Sequence, residues 1–277
     1  MNIRKPASAA MVHGLLLTYV VIAIWPILLV LFNAFKTRKA IFRDPMSFPT
    51  TETFSTIGFD KIIEASNFGL YFYNSITITV VTLFFTLLFG AMAAWALEEY
   101  KFPGNTLMGI YLAIGIMVPI RLGSVSILEI MVSLDLTNTL TGLILVYIAQ
   151  SLPLTIFILH EFIQQIPKDL KEAARCDGVS EYKIFFQVIL PLIRPAIATV
   201  GVFTMVPVWN DLWFPLILAP GEEARTVTLG VQQFVGQYVT NWNAVLASLT
   251  LAIVPITILY LLLSRQLIRG ITSGAVK

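Results

Sequence analysis

Ile166-Pro167-Lys168-Asp169-Leu170-Lys171-Glu172-Ala173-Ala174-Arg175-Cys176-Asp177-Gly178-Val179-Ser180-Glu181-Tyr182-Lys183-Ile184-Phe185-Phe186-Gln187-Val188-Ile189-Leu190-Pro191 lies between two hydrophobic runs, and its reading decides the fold. It holds too many charges to sit in lipid and too regular an apolar spacing for a slack linker. Pro167 suits the first position of a helix, where its missing N–H would lack a partner anyway. Ile166, Leu170, Ala173 and Ala174 fall at i, i+4, i+7 and i+8, one narrow apolar stripe. Gly178 interrupts the stripe where the backbone can turn at low steric cost. Ser180 can cap a second helix, on which Tyr182, Phe185, Phe186 and Ile189 share a face before Pro191. The stretch predicts two short helices against a membrane, presenting a charged, small-residue knob to the aqueous phase.

Composition supplies the membrane. Of 277 residues 57% are hydrophobic and 12% charged, against roughly 25% charged in an ordinary soluble domain. That excess implies an all-α polytopic membrane protein, not a large soluble core. A net charge of +2, with scattered basic residues and no stacking aromatics among them, gives no footing for nucleic acid. The single cysteine, Cys176, excludes an internal disulfide and a cysteine-based metal cluster.

Working outward, six spans of about 20 residues or more are expected. The first is Met11–Phe35, an uncleaved helix behind the basic start Arg4-Lys5. Residues 36–70 are polar and rich in proline, threonine and glycine, so an aqueous loop with little structure of its own is expected. Leu70–Glu99 is the second span, in which Gly90, Ala91, Ala93, Ala94 and Ala96 form a surface for close helix packing. After the turn Lys101-Phe102-Pro103-Gly104, the third runs from about Leu107 to Gly123 or a little beyond. A short amphipathic piece, Ser124–Leu134, and a turn, Asp135–Asn138, precede the fourth span, Thr139–Phe162. Beyond the knob (loop 165–191) come the fifth span, Leu192–Phe214, a loop over roughly Pro220–Asn241, and the sixth span, Asn243–Leu267. No repeat or hinge divides the chain, so residues 1–277 read as one domain.

Orientation follows from lysine and arginine. With the N-terminus in the cytoplasm, the inner side holds Arg4, Lys5, Lys101, Lys168, Lys171, Arg175, Lys183, Arg194, Arg265, Arg269 and Lys277. The outer side holds Lys36, Arg38, Lys39, Arg43, Lys61 and Arg225, and Arg121 lies in or near the third span. Both termini are therefore expected in the cytoplasm, with the knob beside them.

Catalytic and nucleotide-binding patterns do not occur. None of the 16 glycines is followed by lysine, so there is no Walker A phosphate cradle. His160-Glu161 fails the H-E-x-x-H zinc pattern because residue 164 is Gln164, and His13 is the only other histidine. Gly123-Ser124-Val125-Ser126-Ile127 fails the nucleophile elbow. His160 reads as a polar anchor at the inner end of the fourth span.

The order Glu172-Ala173-Ala174, three residues, Gly178, nine residues, Val188-Ile189-Leu190-Pro191 resembles the EAA signature of ABC-importer permeases. The one departure is Val188, where isoleucine is usual. More diffuse similarity, in Phe72-Tyr73-Asn74-Ser75, Leu152-Pro153, Trp209–Leu216 and Gly270–Lys277, is to carbohydrate-importer permeases related to the second maltose-transporter subunit. The resemblance implies the MetI-like permease fold. It implies a heterodimer with a second permease, a pair of ATPase subunits, and a soluble sugar-binding protein docking outside, against the loop at residues 219–242. ATP and magnesium would then sit on the partner ATPase, with no cofactor on this chain. The groove receiving Glu172, Ala173, Ala174, Asp177 and Gly178 would lie on that ATPase, with Leu190 and Pro191 closing the motif. Asp177 has two readings, a cap and a contact.

Two further constellations remain. Trp209-Asn210-Asp211-Leu212-Trp213 ends the fifth span and Trp242 opens the sixth. This is either an interfacial aromatic belt or a sugar-stacking platform, to which Asn210 and Asp211 add polar groups that at such depth usually face a cavity. Arg121, with Glu129, lies near the outer end of the third span. It either snorkels or faces the substrate path with Asn74, where it would favour an acidic solute such as a polyol phosphate or an acidic sugar derivative. A stand-alone secondary transporter should show an internal repeat with broken helices in both halves; a membrane enzyme should show a nucleophile–base or metal set. Neither is present.

Overall fold

The computed structural model describes residues 6–236 and 240–275, without the side chains of residues 6–9 and 262–275. Arg4, Lys5 and Lys277 of the charge count lie outside the described residues, as do residues 237–239 of the outer loop and the side chains of Arg265 and Arg269. Among the described residues the chain is helical apart from two isolated β-bridges.

Among the described residues, four helices are long and apolar enough to cross a membrane: Ala10–Ala34, Phe68–Glu99, Leu140–Gln164 and Trp242–Leu261. Two bent pairs, Asn105–Met117 with Ile120–Ser133 and Glu181–Leu192 with Arg194–Asn210, bring the crossings to six when each pair is taken as one.

The third span is thus broken where the sequence suggested continuity to Gly123. Pro119 disfavours helical geometry at the residue before it, and Val118 is extended, with φ −78° and ψ 120°. The 13-residue helix that precedes it reaches only about 20 Å, against roughly 30 Å of hydrocarbon. The chain then bends by 85° into the second half.

The boundary between the knob and the fifth span also moves. In a regular α-helix the Pro191 ring would clash with the carbonyl four residues back. The helix widens into a π-turn over Phe185–Ile189, passes through Pro191, and turns at Ile193 before Arg194–Asn210 begins. The two halves meet at 76°.

Contacts group the chain into two units, Met1–Phe68 with Gly230–Val254, and Gly69–Leu229 with Pro255–Lys277. In the first unit the loop after the first helix is far more ordered than its composition suggests. It carries helices Arg38–Arg43 and Ile57–Ala65. Phe35 stacks on Phe54 at a centroid separation of 6.0 Å and meets Phe59 at a tilt, at 4.9 Å. Lys36, counted above among the outer-side charges, is fully buried, its ammonium on the Asp44 carbonyl at 2.9 Å. Burial pulls its pKa below the ordinary lysine value, and the Asp44 charge offsets part of that. Asn243 donates to the Lys36 carbonyl at 2.7 Å, and Gly58 lets the backbone at Asn243 approach closer than a Cβ would permit.

In the second unit the fourth span, Leu140–Gln164, packs against both Asn105–Met117 and Arg194–Asn210. The small-residue surface of the second span does what its composition suggests. A Cβ on Gly90 would collide with the Thr155 side chain of the fourth span, and Ala91 and Ala94 are fully buried. Ala91, Ala94 and Trp95 join Ile184, Phe185 and Ile189 in one apolar core, where Trp95 meets Phe185 edge-on at 5.7 Å. The second helix of the knob is thereby seated on the second span.

Candidate functional site

The knob begins with helix Lys168–Cys176, in which Glu172 and Ala173 are exposed and Ala174 is half-buried against the inner core. Asp177 is its C-cap, exposed, its N–H on the Ala173 carbonyl at 3.0 Å. Gly178 follows at φ +73°, in the left-handed region, with open space where a side chain would stand. Its N–H donates to the Arg175 carbonyl and that of Val179 to the Ala174 carbonyl, each at 3.0 Å. That pair of bonds is the Schellman termination, which a glycine adopts without a Cβ penalty. Leu190 and Pro191 are half-buried at the far end of the second helix.

The opposite face of the knob helix is clamped to the second span. Lys171, almost wholly buried, places its ammonium 2.6 Å from Glu99 Oε2, and Arg175 Nη2 lies 2.5 Å from Glu99 Oε1. Arg175 Nε also reaches Glu181 Oε1, on the second knob helix, at 2.7 Å. Its hydrogen bonds to Glu181 and then to Glu99 raise the guanidinium above the ordinary arginine range. Glu99, Lys171 and Glu181 were not among the site residues expected from sequence. The signal was present: a carboxylate on the last residue of a helix opposes the macrodipole unless cations answer it. Its neighbour Glu98 lies 3.4 Å from His160 Nε2, near the end of the fourth span.

At the other end of this unit a cavity of about 700 Å³ is lined by Arg121, Tyr147, Gln150, Asn210, Asp211 and Trp213 among others. Asp211 is its hub. Its carboxylate accepts from the Tyr147 hydroxyl at 2.9 Å, from the Phe214 N–H at 3.0 Å and from the Trp213 N–H at 3.3 Å. It thereby caps the short helix Trp213–Leu218 just past the end of Arg194–Asn210. Arg121 lies 3.5 Å from Asp211 Oδ1, with its guanidinium carbon 5.9 Å from the centre of the Trp213 ring. The Trp213 indole N–H donates to Ser124 at 2.8 Å, which fixes the ring. Arg121, picked from the sequence separately from the cluster that holds Asp211 and Trp213, thus meets both. Tyr147, Gln150 and Ser151 were missed, although their spacing puts three polar groups on one face of an apolar span.

Of the other expected path residues, Asn210 also lines the cavity and the rest stand elsewhere. Asn74 is buried and its amide donates to the carbonyls of Glu223 and Arg225, at 2.8 and 3.0 Å. Glu129 is exposed on helix Ser124–Ser133. Asn210 lines the cavity, its amide turned back to the Val206 carbonyl at 2.9 Å. Trp209 is buried, edge-on to Phe72 at 5.8 Å. Trp242 belongs to the first unit and sets its ring against Phe42.

The model of the family of binding-protein-dependent transport system inner membrane components matches residues 86–273. The chain belongs to that family. It is therefore a membrane-embedded, multi-pass ABC-importer permease. The diacetylchitobiose uptake permease NgcG of Streptomyces coelicolor is 33% identical, over 96% of this chain and 88% of its own. The arabinooligosaccharide transport permease AraQ of Halalkalibacterium halodurans is 31% identical over 92% of each. These relatives are named as transport permeases, not enzymes. In fold, this permease is similar to a chain of a bacterial ABC transporter that imports the acidic polysaccharide alginate, with a TM-score of 0.81 at 20% identity over 96% of this chain and 99% of that one. A chain of the MetNI methionine transporter matches 72% of this permease and 93% of its own length, with a TM-score of 0.55 at 16% identity.

Proposed function

We propose that this chain is the permease subunit of an ATP-driven, binding-protein-dependent importer of neutral oligosaccharides. The observation that carries the solute class is the Asp211 cavity: a half-exposed tryptophan ring beside Tyr147, Gln150 and Asn210, with the Arg121 charge answered by Asp211. A flat ring bordered by hydroxyl, amide and carboxylate groups suits a sugar, and locally balanced charge gives an anion no net advantage. The named solutes of the two oligosaccharide permeases above point the same way.

In this reading a second permease completes the path, and a pair of partner ATPases carries ATP and magnesium. Glu172 and Ala173 enter a groove on one ATPase, while a soluble sugar receptor docks outside against the loop 219–242. Both termini and the knob face the cytoplasm. ATP must favour one arrangement of the spans by a few kcal/mol, because equal affinity for both shifts nothing.

A second reading, an acidic sugar derivative, rests on Arg121, whose side chain is 67% exposed. Reconstitution of the whole importer in lipid vesicles tests both. Uptake of a neutral oligosaccharide that needs ATP and receptor, and is unaltered by an excess of its uronic-acid counterpart, is the expected result. Uptake of the acidic counterpart alone would replace the first reading by the second, and uptake by the isolated permease without ATPase would remove both.

A further inference from the structure

The second span joins two places that the sequence treats as unrelated. Its last residue, Glu99, grips the knob helix through Lys171 and Arg175. Near its start, Asn74 holds the carbonyls of Glu223 and Arg225, and Ser75 accepts from the Val227 N–H at 2.9 Å. Tyr71, one turn earlier, hydrogen-bonds the Glu222 carboxylate. Between Ser75 and Glu99 lie about 36 Å of helix, unbroken and without proline.

The fifth span is covalently continuous with the knob, and from sequence alone it is the natural transmitter. Its geometry argues otherwise. A π-turn and a 76° bend at Ile193 interrupt it, and Pro207 removes a backbone hydrogen bond farther along. A displacement at the knob would be taken up in that bend. The second span is one unbroken helix with no such joint, and Trp95, Ala94 and Ala91 seat the second knob helix on it as well.

We propose that the span Phe68–Glu99 is the rod through which the knob and the loop segment 222–227 move together, with Glu99 as the positioning residue at its grip. This rests on the reading of the knob and the outer loop as docking surfaces for ATPase and receptor. Movement of the knob helix carries Glu99 through two charge-assisted bonds, and the rod carries Asn74, Ser75 and the loop bonded to them. Coupling then runs in both directions, since a free-energy coupling between two sites is reciprocal.

The test uses the assembled importer in vesicles and reads ATPase activity with saturating loaded receptor, divided by activity without it. Glu99→Gln and Asn74→Ala should each lower this ratio about fivefold, a coupling change within the usual range. Together they should again give about fivefold, because one broken link already empties the path, whereas their shifts in melting temperature should add, as for distant sites. Glu99→Gln strands the Lys171 ammonium, so Glu99→Gln with Lys171→Met relieves that charge while leaving the grip broken; the ratio should stay low. An unchanged ratio in either assembled single variant, a 25-fold combined loss, or recovery in the Lys171→Met background would each overturn the rod. An unsubstituted importer whose ATPase ignores the receptor would instead overturn the proposed function, and the rod with it.

Discussion

The Tyr147 hydroxyl donates to Asp211 Oδ2 at 2.9 Å, tying the middle of the fourth span to the residue just past the end of the fifth. The same oxygen accepts the Phe214 N–H at 3.0 Å. One carboxylate therefore shapes the cavity wall and starts the next helix. Asp211→Ala leaves these donors without their acceptor, at a cost of roughly 1–3 kcal/mol. The expected outcome is a lower melting temperature and transport reduced at least about tenfold. Asp211→Asn keeps an acceptor oxygen and should lose less on both counts, measured by thermal unfolding and vesicle uptake.

Gly178 is required by its backbone. At φ +73° a β-branched residue pays the left-handed penalty of about 1–2 kcal/mol, although the space beside it is open. Gly178→Val should weaken co-purification of the ATPase, and Gly178→Asn, which tolerates this region, should retain most of it. Equal retention in both would make the turn geometry irrelevant to docking.

Ala173 tests the docking face without disturbing the fold. It is exposed, so Ala173→Trp should leave stability within about 0.5 kcal/mol. If the knob docks as proposed, the ATPase should nevertheless be lost from the purified complex, because the ring would fill the groove's approach. Thermal unfolding and subunit stoichiometry, measured on one preparation, separate the two effects.

Gly90 tests the approach of the second and fourth spans. Any side chain there meets Thr155, and overpacking of this kind costs typically about 1–3 kcal/mol. Gly90→Leu should lower the melting temperature, and Thr155→Ala in the same chain should recover part of the loss.

Lys36 predicts a pH dependence. Burial depresses its folded pKa, so between that value and the ordinary lysine value the unfolded chain binds more protons. Stability then rises with pH through that window. The slope should vanish in Lys36→Met, read as the difference between the two proteins' melting temperatures across alkaline pH.

The knob was legible because its information is local. Gly178 and the two short helices are set by residues within two turns of each other, although Ser180 makes no side-chain cap, and the small residues of the second span announce a close helix neighbour. The breaks at Val118 and Ile193 were only half legible. Proline marks where a helix is disturbed, but the bend angle depends on what the two halves pack against. The ordered loop after the first helix was hidden by its polar composition, since a few ring contacts and the buried Lys36, Ile41 and Ile62 are enough to fold it.

By itself the sequence determined that the chain crosses a membrane, that it carries the EAA knob, and that it supplies no phosphate cradle. Those properties follow from hydrophobic run length and from short-range patterns. Only the tertiary structure decided that Glu99 answers Lys171 and Arg175, and that Arg121 and Tyr147 converge on Asp211. Such pairings join residues separated by more than 60 positions, and their partners are chosen by which helix faces pack together, a choice that no local pattern encodes.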